Sequence, residues 1–169
     1  MPTNERSEVV FKKSTDKADI GLFLEVFLTY SPSERELNEA SALLESELAE
    51  LGTNRLAFIA FESAAPIAVV QLLLANADGD PELADGHSVA HVHHLRVSWQ
   101  RKKQGMGRAM MRQVETEARE MGFRRITLGV DGDNVDAIRF YEHIGYDILK
   151  QCRGRAPDEV LYYFKKDLA

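Results

Sequence analysis

Three clusters of residues in this chain have the types and spacing for chemistry. The first is the stretch Leu95 to Gly107, LRVSWQRKKQGMG. An apolar strand ends at Val97, a short basic loop follows, and Gly105-Met106-Gly107 opens a helix. Helix N-termini present unpaired backbone N–H groups and a partial positive charge. Glycines let the backbone approach a phosphate closely. Lys102, Lys103 and Arg108 add full charges, so the stretch suits a phosphate-bearing ligand. The second cluster, His91-Val92-His93-His94, lies just upstream in the same strand. Side chains alternate along a strand, so His91 and His93 are expected on one face and His94 on the other. An imidazole with an ordinary pKa of about 6.5 can take or relay a proton at neutral pH. The alternatives are strand histidines satisfied by their neighbours, or two ligands of a metal joined by an Asp or His87. The third cluster is Asn134 to Tyr146, whose Tyr141 carries either a reactive hydroxyl or a core ring beside Phe140.

Other nucleotide loops are excluded by spacing. A Walker loop needs Gly-x-x-x-x-Gly-Lys-Ser/Thr, which is absent, and a Rossmann fingerprint needs a third Gly where this chain has Met110. Asp78, Asp80, Glu82 and Asp85 lack the spacing and closing Glu of a calcium loop. No Cys/His zinc spacing exists, and no metal is expected. Cys152 is the single cysteine and is read as a bystander in a reducing compartment.

Hydrophobic periodicity supplies the elements that must position these clusters. Val9–Phe11 reads as a first strand. Ile20 to Leu28 reads as a helix after a cap at Thr15 or Asp16. Ser31-Pro32-Ser33 then stops that helix and starts another. The second helix carries an apolar stripe (Leu37, Ala40, Leu43, Leu44, Leu48, Leu51), and its other face (Glu34, Glu36, Glu39, Glu45, Glu47, Glu50) reads as a solvated acidic face or as a rim that attracts a cationic acceptor. Leu56–Phe61 and Ile67–Leu74 read as a hairpin, and Ala75–His87 as an exposed loop. Val89–Val97 is a strand. Gly105–Met121 is a helix with a stripe of Met106, Met110, Val114, Ala118 and Met121, and Ile126–Val130 closes a parallel βαβ unit. A helix capped by Asp133 or Asn134 runs through Ile144. Tyr146–Leu149 and Val160–Phe164 are the last strands, joined by a polar loop, Gln151–Glu159. The order βααβββαβαββ predicts an α/β fold with a mixed central sheet and helices on both faces.

Composition bounds the rest. The 169 residues are expected to form one domain, 1–169. A hydrophobic share of 44% and a charged share of 28% fit a soluble globular chain. The net charge of -6 argues against nucleic acid as a partner. MPTNERSEVVFKK lacks a signal-peptide core, and no apolar run approaches membrane-helix length, so a cytoplasmic protein without a membrane partner is expected.

Two motifs together resemble the GCN5-related N-acetyltransferases, the GNAT superfamily. They are L-x-V followed by K-K-Q-G-M-G at Leu95, Val97 and Lys102–Gly107, and N-x-x-A-x-x-F-Y-E-x-x-G-Y at Asn134, Ala137, Phe140, Tyr141, Glu142, Gly145 and Tyr146. The resemblance implies acetyl-CoA as cosubstrate. Backbone groups of Leu95, Arg96 and Val97 would hold the pantetheine arm and thioester carbonyl. Lys102, Lys103, Gln104, Gly105, Met106, Gly107 and Arg108 would form the pyrophosphate loop. Asn134 and Ala137 would lie along the cofactor arm, and Tyr141 would face the sulfur as general acid. The family loop usually has Arg or Gln at Lys102 and often Gly at Lys103, so a side chain at the second position requires an allowed backbone angle there. The pattern H-x-H-x-L-x-V is similar to arylalkylamine N-acetyltransferases, which implies that His91 and His93 handle the proton of the amine, directly or through water. The expected function is N-acetyl transfer to a primary amine on a small molecule by direct attack in a ternary complex. Acetylation of a protein N-terminus or lysine, and a non-catalytic acyl-CoA sensor, are the alternatives. A homodimer is compatible with this reading.

Overall fold

The local signals that shape the first half of the chain are turn and cap residues. In the computed structural model, which describes residues 7–169, strand β1 (Val9–Ser14) is followed by a 3₁₀ turn capped by Asp16, whose side chain accepts from the Ala18 N–H. Helix α1 (Gly21–Leu28) comes next. Ser33 then caps helix α2 (Glu34–Glu47). Its hydroxyl accepts from the Glu36 N–H while the Glu36 carboxylate accepts from the Ser33 N–H, a reciprocal capping box. Strands β2 (Arg55–Glu62) and β3 (Ala65–Leu73) are joined through Ser63-Ala64. Both turn residues have positive φ, 49° and 65°, the pattern of a type I′ turn that matches strand twist.

Strand β4 spans Val89–Val97, as the apolar run predicts. Helix α3 (Met106–Glu120), strand β5 (Arg125–Asp131), helix α4 (Val135–His143) and strands β6 (Asp147–Arg153) and β7 (Val160–Asp167) complete the chain. The element order is the expected βααβββαβαββ. The seven strands form one mixed sheet in the order β1-β2-β3-β4-β5-β7-β6. The pairings β1–β2, β5–β7 and β6–β7 are antiparallel, and β4–β5 is parallel.

The chain divides into two compact units, one of residues 7–71 and 94–111 and one of residues 72–93 and 112–169. In the first, Phe23 and Val26 of α1, Leu44 of α2, Leu51, and Ala57, Ile59 and Val69 of the strands form a buried cluster. Leu43, placed on the α2 stripe by its spacing, is instead exposed. In the second unit, a buried cluster joins Leu73, Ala77, Leu83, Ala84 and Tyr163.

That second cluster corrects the reading of Ala75–His87 as an exposed loop. Ala77, Leu83 and Ala84 are buried, and the loop is tied down by its carboxylates. Asp78 accepts from the Tyr163 hydroxyl at 2.7 Å, and Asp80 and Glu82 take Lys150 at 2.6 and 3.0 Å. Asp85 accepts from the N–H groups of His87, Ser88 and Val89. Desolvation opposes its charge, but those donors outweigh it and pull its pKa down to about 2. The polar loop predicted from Gln151 is shorter at its start, because Gln151–Arg153 belong to β6. Met121 is exposed, while Met110, Val114 and Ala118 are buried as their spacing predicts. Residues 1–6, part of the stretch read as lacking a signal-peptide core, lie outside the described residues. No helix among the described residues is long and apolar enough to cross a membrane.

Candidate functional site

The basic loop has a distinctive hydrogen-bonding state. Trp99–Arg101 form a 3₁₀ turn, closed by the Arg101 and Lys102 N–H groups donating to Ser98 and Trp99. The first N–H bonded within α3 is that of Ala109, which donates to Gly105 at 3.0 Å. Among the described residues, no N–H from Lys103 through Arg108 donates to a protein acceptor. This run of exposed donors sits where the positive end of the helix dipole adds to them. Its backbone bends accordingly. Gly105 has φ 83° and Lys103 has φ 60°, both in the left-handed region. The family's frequent glycine at the Lys103 position thus has a physical reason, and this chain holds a side chain there at a cost of about 1 kcal/mol.

The cationic side chains of the loop are not equivalent. Arg101 is ion-paired with Glu62. The Lys102 ammonium lies over the rings of Trp99 and Tyr30, at 5.0 and 5.3 Å from their centroids. Lys103 and Arg108 are exposed. The short basic loop after Val97 is therefore neutralised at Arg101 and keeps the charges of Lys102, Lys103 and Arg108.

Strand β4 feeds this loop. Its parallel ladder with β5 pairs Val89–Val92 with Arg125–Leu128 and leaves His93–Val97 outside. The Tyr30 hydroxyl donates to the Val97 carbonyl. His94 has φ 57°, which breaks the strict alternation on which its predicted facing rested. In its own unit, the His94 Nε2 meets Glu47 Oε1 at 2.7 Å. Glu47 is 6% exposed, which corrects its assignment to a solvated face. Desolvation favours its neutral form, but the His94 contact, Arg55 and Gln71 outweigh this and hold its pKa below the ordinary carboxylate range. Arg55, also buried, places Nη1 3.8 Å from Glu47 and 2.8 Å from Gln71 Oε1, and Nη2 2.9 Å from Glu50. Sequence reasoning missed this network. The signal was present, since Glu47 follows Ala40 and Leu44 at helical spacing and precedes Leu51 on the same stripe.

The first unit also holds a cavity of about 120 Å³. Helix α1 contributes Phe23, Leu24 and Phe27, and α2 contributes Ala40, Leu43 and Leu44. Val69, His94 and Arg96 complete the lining from the sheet.

In the second unit, His91 is 2% exposed. Its Nδ1 lies 2.7 Å from the Thr127 hydroxyl, and that hydroxyl donates to the Leu83 carbonyl at 2.6 Å. Thr127 has one proton to give, so it accepts from His91, which places a His91 hydrogen on Nδ1. The rings of His91 and His93 meet edge to face with centroids 4.8 Å apart, consistent with their expected shared face. His93 is half-buried.

Asn134 is the cap of α4, its side chain accepting from the Ala137 N–H at 3.2 Å. Tyr141 is buried against Phe140, Tyr146 and Phe164. Burial pushes its pKa well above the ordinary tyrosine value. Among the described residues its hydroxyl has no hydrogen-bond partner, in contrast to Tyr146, whose hydroxyl donates to Glu115 at 2.9 Å.

The chain is 33% identical over 89 residues to a mycothiol acetyltransferase of Nocardiopsis dassonvillei, a match covering 53% of this chain. The chain spans 27% of the length of that relative. A GNAT-family protein from Desulfovibrio desulfuricans has a similar structure, with a TM-score of 0.79 at 17% identity over 96% of this chain and 100% of that one. The ribosomal-protein-S18-alanine N-acetyltransferase from Escherichia coli superposes with a TM-score of 0.73 at 16% identity, covering 96% of this chain and 95% of that one. An aminoglycoside 6'-N-acetyltransferase in complex with coenzyme A gives 0.68 at 14% identity, over 95% and 97% of the two chains. At these identities the structures share the fold. The model of the acetyltransferase (GNAT) family matches residues 23–146, and the chain belongs to that family.

Proposed function

We propose that this chain transfers an acetyl group from acetyl-CoA to a primary amine on a small molecule, by direct attack in a ternary complex. The observation that carries this reading is the run of unpartnered N–H groups from Lys103 through Arg108 at the start of α3. It fits a pyrophosphate, which backbone donors can cradle. The matched family span draws residues from both units, which supports one catalytic domain over the whole chain.

Bound acetyl-CoA supplies an activated acyl group as a thioester. The backbone of Leu95, Arg96 and Val97, beyond the β4–β5 ladder, pairs with the cofactor arm and polarises the thioester carbonyl. Lys102 and Arg108 add charge beside the backbone donors of Gln104, Gly105, Met106 and Gly107. Asn134 and Ala137, at the start of α4, lie along the arm. The attacking amine must lose a proton, because free amines have a pKa of about 10. His93 takes that proton, and His91 orients it through the ring contact while locked by Thr127. The Tyr141 hydroxyl donates to the departing sulfur. Its raised pKa keeps it protonated, and the absence of a protein partner leaves that proton available.

A panel of primary amines with acetyl-CoA, read by released thiol, tests the reading. Amine-dependent release is expected. No release with any amine, while acetyl-CoA still raises the melting temperature, would instead make the protein an acyl-CoA-binding module.

A further inference from the structure

Among the described residues, Arg96 is a cation without a counter-ion. Its guanidinium lies 4.2 Å from the Phe27 ring centroid and 5.8 Å from that of Tyr30. Among the described residues, no carboxylate and no hydrogen-bond acceptor meets its N–H groups. The side chain is half-buried and lines the cavity between α1 and α2. Removing a guanidinium from water without pairing it is costly, and a carboxylate matches its planar fork with two parallel hydrogen bonds. The other polar group on the wall, His94, is already engaged by Glu47. The remaining lining is apolar. Its volume of about 120 Å³ approaches the ~150 Å³ of an engineered cavity that takes a benzene ring. That is on the scale of a phenyl or branched aliphatic group, and the apolar lining favours such a group over a hydroxyl-bearing ring.

We propose that the acceptor is a small amine bearing both a carboxylate and an apolar group, as in a hydrophobic amino acid, with the carboxylate on Arg96 and the apolar group in the α1–α2 cavity. This assignment rests on the N-acetyl-transfer reading above.

Matched pairs of amines test it: phenylalanine against phenethylamine, and leucine against 3-methylbutylamine, each with acetyl-CoA and read by thiol release. The carboxylated member is expected to have the higher kcat/KM. Arg96→Gln should reduce that preference about ten- to a hundredfold, the range of a charge-assisted pair. Arg96→Lys should restore part of it. The ratio within a pair cancels any effect of the substitution on the cofactor. Ala40→Leu, which narrows the cavity from α2, should shift preference from phenylalanine toward 2-aminobutyrate. A binding arm uses 3-phenylpropanoate, which has no amine to acetylate. It should raise the melting temperature of the wild type and not of Arg96→Gln. Equal use of both members of each pair, with the ratio unchanged in Arg96→Gln, overturns the proposal. So does better turnover of a peptide beginning with phenylalanine than of phenylalanine itself. If no amine releases thiol but 3-phenylpropanoate still stabilises the wild type through Arg96, the carboxylate site stands and the transfer reading fails.

Discussion

Replacing Arg55 by leucine should be far more damaging alone than together with Glu47→Leu. Arg55 is 4% exposed and bridges three groups of its unit. It donates to Gln71 at 2.8 Å and to Glu50 at 2.9 and 3.2 Å, and stands 3.8 Å from Glu47. The Glu50 side chain is 41% exposed, so that contact is screened and contributes under about 1 kcal/mol. The buried Glu47 dominates. Without Arg55 its carboxylate loses a buried cation, and breaking a buried pair in this way costs about 3–5 kcal/mol. Removing both charges replaces them with apolar volume, which is often close to neutral, although Gln71 Oε1 then loses its donor at about 1–3 kcal/mol. Arg55→Leu should therefore destabilise by about 3–5 kcal/mol, and the double variant by about 2 kcal/mol less than the single one. Urea denaturation of the wild type, the two single variants and the double variant gives the coupling directly. The pH dependence supplies a second check. Glu47 has a lowered folded-state pKa, so its stabilisation is present above the ordinary carboxylate range and lost as pH falls through the folded value. The Arg55→Leu penalty should shrink in acid, where the stranded carboxylate can take a proton. Additive effects of the two substitutions, or a penalty that does not change with pH, would refute the reasoning.

Three further outcomes are expected. Tyr141→Phe should lower kcat by about ten- to a thousandfold with little change in acetyl-CoA affinity, as measured by turnover and calorimetry; wild-type turnover would remove Tyr141 from the chemistry. Lys103→Gly should raise stability by up to about 1 kcal/mol, because glycine accepts φ 60° without a Cβ penalty, and a shift in the urea midpoint reads this. Asp85→Ala should cost about 1–2 kcal/mol at neutral pH through the lost N–H acceptor. That difference should persist down to the ordinary carboxylate pKa of 3.8 and fade as pH falls toward about 2, measured by melting temperature across a pH series.

Element order and the run of unpaired N–H groups at the start of α3 were legible because their signals are local. Ser33 with Glu36 caps α2, Asn134 caps α4, and the apolar run Val89–Val97 needs no partner to be read as a strand. What was illegible depends on tertiary partners. Glu47 looks like its exposed neighbours until Arg55 and His94 are placed around it. Ala77, Leu83 and Ala84 lie among residues of turn-forming composition, and only Tyr163 and β6 explain their burial. The left-handed backbone at His94 was not legible from an alternation rule that assumes extended residues throughout the strand. Lys103 was expected to take an ordinary allowed angle, and its φ of 60° departs from that, because the turn into α3 keeps the left-handed geometry that glycine often serves in the family.

The central claim is most directly tested by incubating the protein with acetyl-CoA and a primary amine that supports turnover, then measuring released thiol and the mass of the amine product together. One N-acetylated amine for each thiol, with initial-rate lines that intersect when both substrates are varied, is the predicted result. Thiol release without an acetylated amine, or parallel lines marking an acetylated enzyme, would contradict direct transfer.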